Sequence, residues 1–470
     1  MKKKLSVILC AMILAGSAAL DGCDTAKTDI FANGNTANLN SSSSANGDTL
    51  NISDENISAK ALSNGEKNLV RAGINGFSAK LFKEVYSQSG KKENLLLSPL
   101  SVYTGLSLLN NGADGDTYEE VTNALTAEGL PASTADIADK PLDNDILNGY
   151  FSYYMNDLAL SNNEFTKLKT ANSFWAIKRD DTVIKDDFIN AAGNFYLAEI
   201  WNVPFNKSVV TDINSWVKDN TDGMIDSILS EDGVTKDTAA ILLNAVAFDA
   251  EWQSPYPSYS VHSSDFHNYD GTTSKVDLMS EELEGGSYFD DGYSLGFTKN
   301  YRAEEGSKPR YCFAAILPNE DVGIDEYIEK HFTADTFTEN LNNLIYGRTV
   351  NTSIPKFDFD YGITLNDSLK AMGVESAFDK TSANFSRMAD IVGDENQEKN
   401  LYLNKVLHKT HITVDEQGTR AAVVTAFEID ETDSIDLSEP VYITLNRPFI
   451  FAIYDYKEQV PVFIGTVNDL

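Results

Sequence analysis

Catalysis by this chain would have to draw on few candidate groups. The five histidines are His262, His267, His331, His408 and His411, and there are three cysteines. His408 and His411 form a close pair, but they stand three apart in a segment that reads as a strand. Odd spacing there sends side chains to opposite faces and not to a shared metal. The sequence has no Gly-x-Ser-x-Gly elbow, no His-Glu-x-x-His helix, no glycine-rich phosphate loop with a following lysine and no Cys-x-x-Cys. Ser89 and Lys92 have Ser-x-x-Lys spacing, yet they lie in Ser87-Gln88-Ser89-Gly90-Lys91-Lys92, a polar stretch that reads as a solvated loop. The chain is therefore not expected to be an enzyme, and nothing in it calls for a metal or another cofactor.

A different kind of chemistry is suggested near the C-terminus. Between a strand ending near Asp415 and one starting near Val441 lie about 25 residues without helical periodicity, and compact domains rarely carry so long a loop without a use for it. Its first half alternates. One face is Thr419, Ala421, Val423, Thr425, Phe427 and Ile429; the other is Arg420, Ala422, Val424, Ala426, Glu428 and Asp430. All the charges fall on the second face, so the segment is suited to lie in a sheet over a core. By position it is a loop, and by composition a strand.

The elements that must hold this segment read as α+β. Helical periodicity covers 69–86, 100–110, 146–158 and 213–229, whereas 240–248, 310–317, 350–359, 408–415 and 449–456 are rich in β-branched and aromatic residues and read as strands. Helices early and strands late favour α+β over an alternating parallel sheet. Of 470 residues, 42% are hydrophobic and 23% charged, enough to build a real core. The net charge of −34 repels polyanions and excludes a general nucleic-acid binder. The N-terminus reads as an address. Lys2, Lys3 and Lys4 precede a short apolar run, and Leu20-Asp21-Gly22-Cys23 resembles the bacterial lipoprotein box, with Cys23 as the lipid attachment point. Ordinary signal cleavage or an uncut anchor are the alternatives. Expected boundaries are a signal peptide at 1–22, an Asn/Ser/Thr/Gly-rich flexible tether at 23–65 and one large domain at 66–470. Cys312, in Tyr311-Cys312-Phe313-Ala314, reads as an inert core thiol.

Glu416-Gln417-Gly418-Thr419-Arg420-Ala421-Ala422 resembles the hinge of the serpins, which opens their reactive-centre loop. Other serpin-like blocks follow the family's order along the chain. They include Asn94-Leu95-Leu96-Leu97-Ser98-Pro99-Leu100-Ser101, Ala171-Asn172-Ser173-Phe174-Trp175, Leu243-Asn244-Ala245 leading to Trp252, Ile354-Pro355-Lys356-Phe357, His408-Lys409 and Arg447-Pro448-Phe449-Ile450-Phe451.

The resemblance implies a serpin fold of three β-sheets and eight or nine helices with an exposed loop. It also implies a suicide inhibitor of serine proteases, with cysteine proteases as further targets. The protease cleaves the loop and is acylated, and the hinge side then inserts into the main sheet as a new strand. Gly418 is expected to permit the hinge bend, and the hinge runs on through Val423 and Val424, bulkier than the family's alanines. By the same resemblance Ser98, Ser101, Asn244 and His408 form a hydrogen-bonded cluster under the sheet, Trp252 marks where insertion starts, and Lys356 pairs with Glu416. Counting 17 residues from Glu416 places the reactive bond at Thr432-Asp433, which suits elastase-like or subtilisin-like proteases; a register one later gives Asp433-Ser434. The expected protein is a monomer that meets the membrane only through its lipid. The alternative is a non-inhibitory binding module on the same fold at the cell surface.

Overall fold

A computed structural model describes residues 48–50, 58–126, 141–204, 207–230, 233–234, 238–391, 401–419 and 439–470. Helix α1 (Asn64–Gln88) opens on a capping box, in which the Ser63 hydroxyl accepts from the Glu66 N–H and the Glu66 carboxylate accepts from the Ser63 N–H. Helix α2 (Pro99–Gly112) begins on a proline, whose missing N–H costs nothing at that position, and is almost wholly buried. There follow α3 (Gly115–Leu125), α4 (Asn144–Ser161), α5 (Asp186–Tyr196) and α6 (Lys207–Asn220). Helix α6 stops well short of residue 229, where the periodicity had run. Asp222 and Gly223 take positive φ, and the Asn214 side chain accepts from the N–H groups of Ile228 and Leu229, folding the next segment back onto the helix.

The main sheet has seven strands among the described residues: β1 (Asp48–Leu50), β2 (Thr166–Ile177), β3 (Glu199–Val203), β4 (Ala240–Glu251), β5 (Phe357–Thr364), β6 (Lys405–Val414) and β7 (Gly418–Thr419), in the order β1-β3-β2-β4-β7-β6-β5. The predicted single strand at 350–359 is two, Ile345–Pro355 and β5, broken at Lys356. Strand β1 falls in the stretch read as a tether, yet it pairs antiparallel with β3, Leu50 opposite Ile200.

Among the described residues a second sheet of nine strands includes Phe449–Asp455 and Val460–Val467, every residue of which is buried, and a third has two strands. Mixed helices and sheets in these proportions are the α+β class expected. Cys312, 0% exposed, lies inside the nine-stranded sheet. Burial pushes its thiol up to about 12, so it stays protonated and unreactive.

Both faces of the main sheet are covered. Helix α2 lies under its centre, while Ile213, Trp216 and Val217 of α6 pack over the other face against Trp175, Trp201, Ile241, Leu243 and Ala245. This double burial explains why β4 is apolar on both sides instead of alternating.

Candidate functional site: the hinge and the seam of the main sheet

Strands β4 and β6 run parallel and meet along a seam. Among the described residues they pair with each other only over 241–245 and 405–409. Above that stretch β7 stands between them, antiparallel to both, with Thr419 opposite Val414 on one side and Ala250 on the other. The seam is therefore closed in its lower half and already parted at its upper end.

The turn that brings β7 in is built by Asp415. Its N–H donates to the Gly418 carbonyl, and its carboxylate accepts from the N–H groups of Gln417 (2.8 Å) and Gly418 (3.2 Å). Trp252 clamps the same turn, its Nε1–H donating to the Asp415 carbonyl (2.9 Å) and its backbone N–H to that of Gln417. A Cβ on Gly418 would lie 2.0 Å from the Ala250 carbonyl oxygen. Gly418 is thus required by close approach of two backbones, and not by a bend of the left-handed kind, since its φ is not positive.

Thr419 points inward and is 2% exposed. Its hydroxyl is 2.6 Å from the Tyr301 hydroxyl, and Tyr301 is stacked on Trp252 at 4.6 Å. Beside them Lys299 is ion-paired to Glu281 at 2.7 Å and lies over the Tyr256 ring; desolvation lowers its pKa against the pull of Glu281. Lys356 and Glu416 meet at 2.9 Å, as the resemblance implied. The hydrogen bond that Lys356 donates to Glu416 raises the Lys356 pKa. Desolvation works to raise that of Glu416, and the Lys356 contact together with a backbone hydrogen bond lowers it overall.

Lower on the seam, His408 and Asn244 are cross-strand partners. The Ser98 N–H donates to His408 Nε2 at 3.0 Å, which makes Nδ1 the protonated nitrogen. Desolvation holds His408 down at about 4, so it is neutral at neutral pH. His411 falls on the opposite face, against Asp360.

Asn244 donates to Asn172 at 2.7 Å and sits against Gly105 of α2, where a Cβ would come within 2.4 Å of its Nδ2. The expected cluster is only partly bonded. The Ser98 and Ser101 hydroxyls, Asn244 Oδ1, Asn172 Nδ2 and His408 Nδ1 are buried without a hydrogen-bond partner among the described residues.

Three participants escaped the sequence reading: Tyr301, Asn172 and the Lys299–Glu281 pair. Asn172 lay within a quoted motif, and a polar residue in an otherwise apolar strand was the available signal. Arg420, Ala421, Ala422, Val423, Val424, Thr432, Asp433, Ser434 and Cys23 lie outside the described residues.

Residues 72–470 match the family model for serpin, serine protease inhibitor. The chain belongs to the serpin family. It is 30% identical over 407 residues to an uncharacterised serpin-like protein of Thermococcus kodakarensis, covering 86% of each chain, and 29% identical to alpha-1-antiproteinase 2 of Equus caballus, covering 84% of this chain and 85% of that one. Among solved structures it is similar to the thermophilic serpin tengpin in the native state, with a TM-score of 0.76 and 36% identity, covering 90% of this chain and all of that one. The serpin fold expected from the sequence is the fold observed.

Proposed function

We propose that the chain is a suicide inhibitor of serine proteases, held at the outer face of a membrane by a lipid on Cys23, and that it is not itself a catalyst. The observation that carries this reading is the seat of Thr419 in the parted seam. Continuing the register of β7 sets residues 420–423 opposite 410–413 of β6 and 246–249 of β4, where those strands do not pair with each other among the described residues. Val424 is then the first residue whose insertion must break an existing pair, that of Ala245 with Lys409. Because Thr419 faces inward, the same alternation turns Ala421 and Val423 inward and Arg420 and Ala422 outward, which a sheet packed on a core can accept.

The loop residues favour a small side chain before the cut, Thr432-Asp433, and an elastase-like or subtilisin-like target; the absence of Lys and Arg from 421–446 disfavours trypsin-like enzymes. Incubation with subtilisin or elastase is expected to give an SDS-resistant covalent complex and a C-terminal fragment beginning at Asp433, read by mass spectrometry. A chain that is merely cleaved by every protease tried, and whose melting temperature does not rise after cleavage, is not such an inhibitor.

A further inference from the structure

We infer that Tyr301 is a positioning residue for loop insertion: its buried hydroxyl seats Thr419 in the seam before any protease arrives, so that the new strand starts already in register. The inference rests on the insertion mechanism proposed above. Tyr301 is 1% exposed and its ring is packed on more than one side. It stacks on Trp252 at 4.6 Å and meets Phe248 edge-on at 5.0 Å, and its N–H donates to the Tyr311 carbonyl at 3.0 Å. The hydroxyl therefore projects to a fixed point, and that point lies 2.6 Å from Thr419 Oγ1.

The rest of the hinge is held through its backbone, by the pairing of β7 with β4 and β6 and by the groups around the turn. Trp252 and Tyr256 bind the backbone carbonyls of Gln417 and Glu416, and Asp415 binds the turn. Among the described residues, Tyr301 is the hydrogen-bond partner of the Thr419 side chain. A strand that slips by one residue exchanges its faces, and a slip here would turn Arg420 inward onto the aromatic rings. The hydroxyl pair penalises that slip, because it would break the Tyr301–Thr419 bond and bury a cation against the rings.

The bond exists before insertion and is kept as the strand extends. What it changes is the fraction of molecules whose hinge is seated when the loop is cut. Molecules with an unseated hinge insert later, and hydrolysis of the acyl-enzyme then competes better. The expected signature is a shift in partition between trapping and turnover.

The test compares the full chain with Tyr301→Phe, which keeps both ring contacts and removes one oxygen, with Thr419→Val, which keeps the shape and removes the other, and with the double variant. Each is mixed with subtilisin. The number of inhibitor molecules consumed per protease trapped is measured, together with the rate of the tryptophan fluorescence change that follows loop cleavage. Each single variant is expected to raise the consumption ratio about five-fold, the scale of one neutral hydrogen bond, and to slow the fluorescence change in step. The double variant is expected to be no worse than either single one, since both remove the same contact.

Unchanged partition in Tyr301→Phe, or additive losses in the double variant, would overturn the inference. If the unaltered chain traps no protease, the rise in melting temperature after cleavage still reports insertion. A rise at the same rate in all four proteins removes Tyr301 from this role while leaving insertion standing, whereas no rise in any of them removes the proposed function itself.

Discussion

The upper and middle parts of one seam are built on opposite principles. At the upper end the seam is parted, yet the groups that hold the hinge are bonded: Asp415 binds two N–H groups, Trp252 spans the turn, Thr419 meets Tyr301 and Lys299 is neutralised by Glu281. In the middle the seam is closed by β4–β6 pairing, yet Ser98, Ser101, Asn172, Asn244 and His408 each keep a buried polar atom without a partner among the described residues. A parted region whose hinge is bonded on every side resists change, because any shift breaks bonds. A closed region whose buried polar side chains make few bonds to one another has less side-chain bonding to lose when its strands part. The contrast suggests that the top fixes register and the middle sets the threshold for opening.

The largest effect should come from damaging the top. Thr419→Arg places a long cation at a site 2% exposed, against Tyr301, where an unpaired charge costs several kcal/mol. We expect complete loss of covalent complex, with the protein cleaved as an ordinary substrate, on gels of reaction mixtures with subtilisin. A retained complex would mean that the seat is not needed, and the contrast between the two regions would lose its upper half.

Next comes the middle. His408 is held at about 4 in the fold against about 6.5 in the unfolded chain, so the unfolded state binds the extra proton between those values. Its neutral form therefore contributes fully above pH 6.5, and this contribution is lost as pH falls from 6.5 toward 4. The total is about 3 kcal/mol. Denaturant unfolding of the native chain should show that loss relative to His408→Gln, whose stability should depend less on pH in the same window. Equal slopes would show that the centre is not tuned by this ring.

A smaller effect is expected from Lys356→Met, which breaks the ion pair with Glu416. The side chains are 34% and 27% exposed, so solvent screening limits the pair to at most about 1 kcal/mol in denaturant unfolding. A much larger loss would place part of the top's stability in charge, where we place it in the bonds of Asp415, Trp252 and Tyr301.

The two regions also differ in how well the sequence disclosed them. The hinge was legible because alternation is local. Thr419, Ala421 and Val423 declare a face by parity alone, and Gly418 stands where one backbone touches another, although the reason for it turned out to be space beside Ala250 and not a bend. The Lys356–Glu416 pair came from resemblance and not from spacing, since 60 residues separate the partners. Tyr301 was invisible for the same reason: 118 residues separate it from Thr419, and nothing around it distinguishes it from other core tyrosines. Helix α6 was overextended because apolar residues past 220 kept a helical period while Asp222 and Gly223 ended the helix. Strand β1 was missed because Asp48-Thr49-Leu50 has too little apolar character to signal a strand, and its place is set by the open edge of β3.

The smallest effect concerns charge, and it separates the regions most cleanly. Glu428, Asp430, Glu431, Asp433, Asp436 and Glu439 follow the hinge with no Lys or Arg among them, whereas the buried seam polar groups Ser98, Ser101, Asn172, Asn244 and neutral His408 carry no net charge. Ionic screening acts over about 8 Å at physiological salt, so it reaches exposed loop carboxylates and leaves a buried neutral seam untouched. Raising salt from 50 to 300 mM should lower the association rate with a protease of basic cleft by a few-fold, through weaker steering, and leave the partition between trapping and turnover unchanged. Stopped-flow association and the consumption ratio, measured on the same samples, give the two numbers. If partition moves with salt as well, charge reaches into the opening step, and the centre of the seam is not the neutral threshold described above.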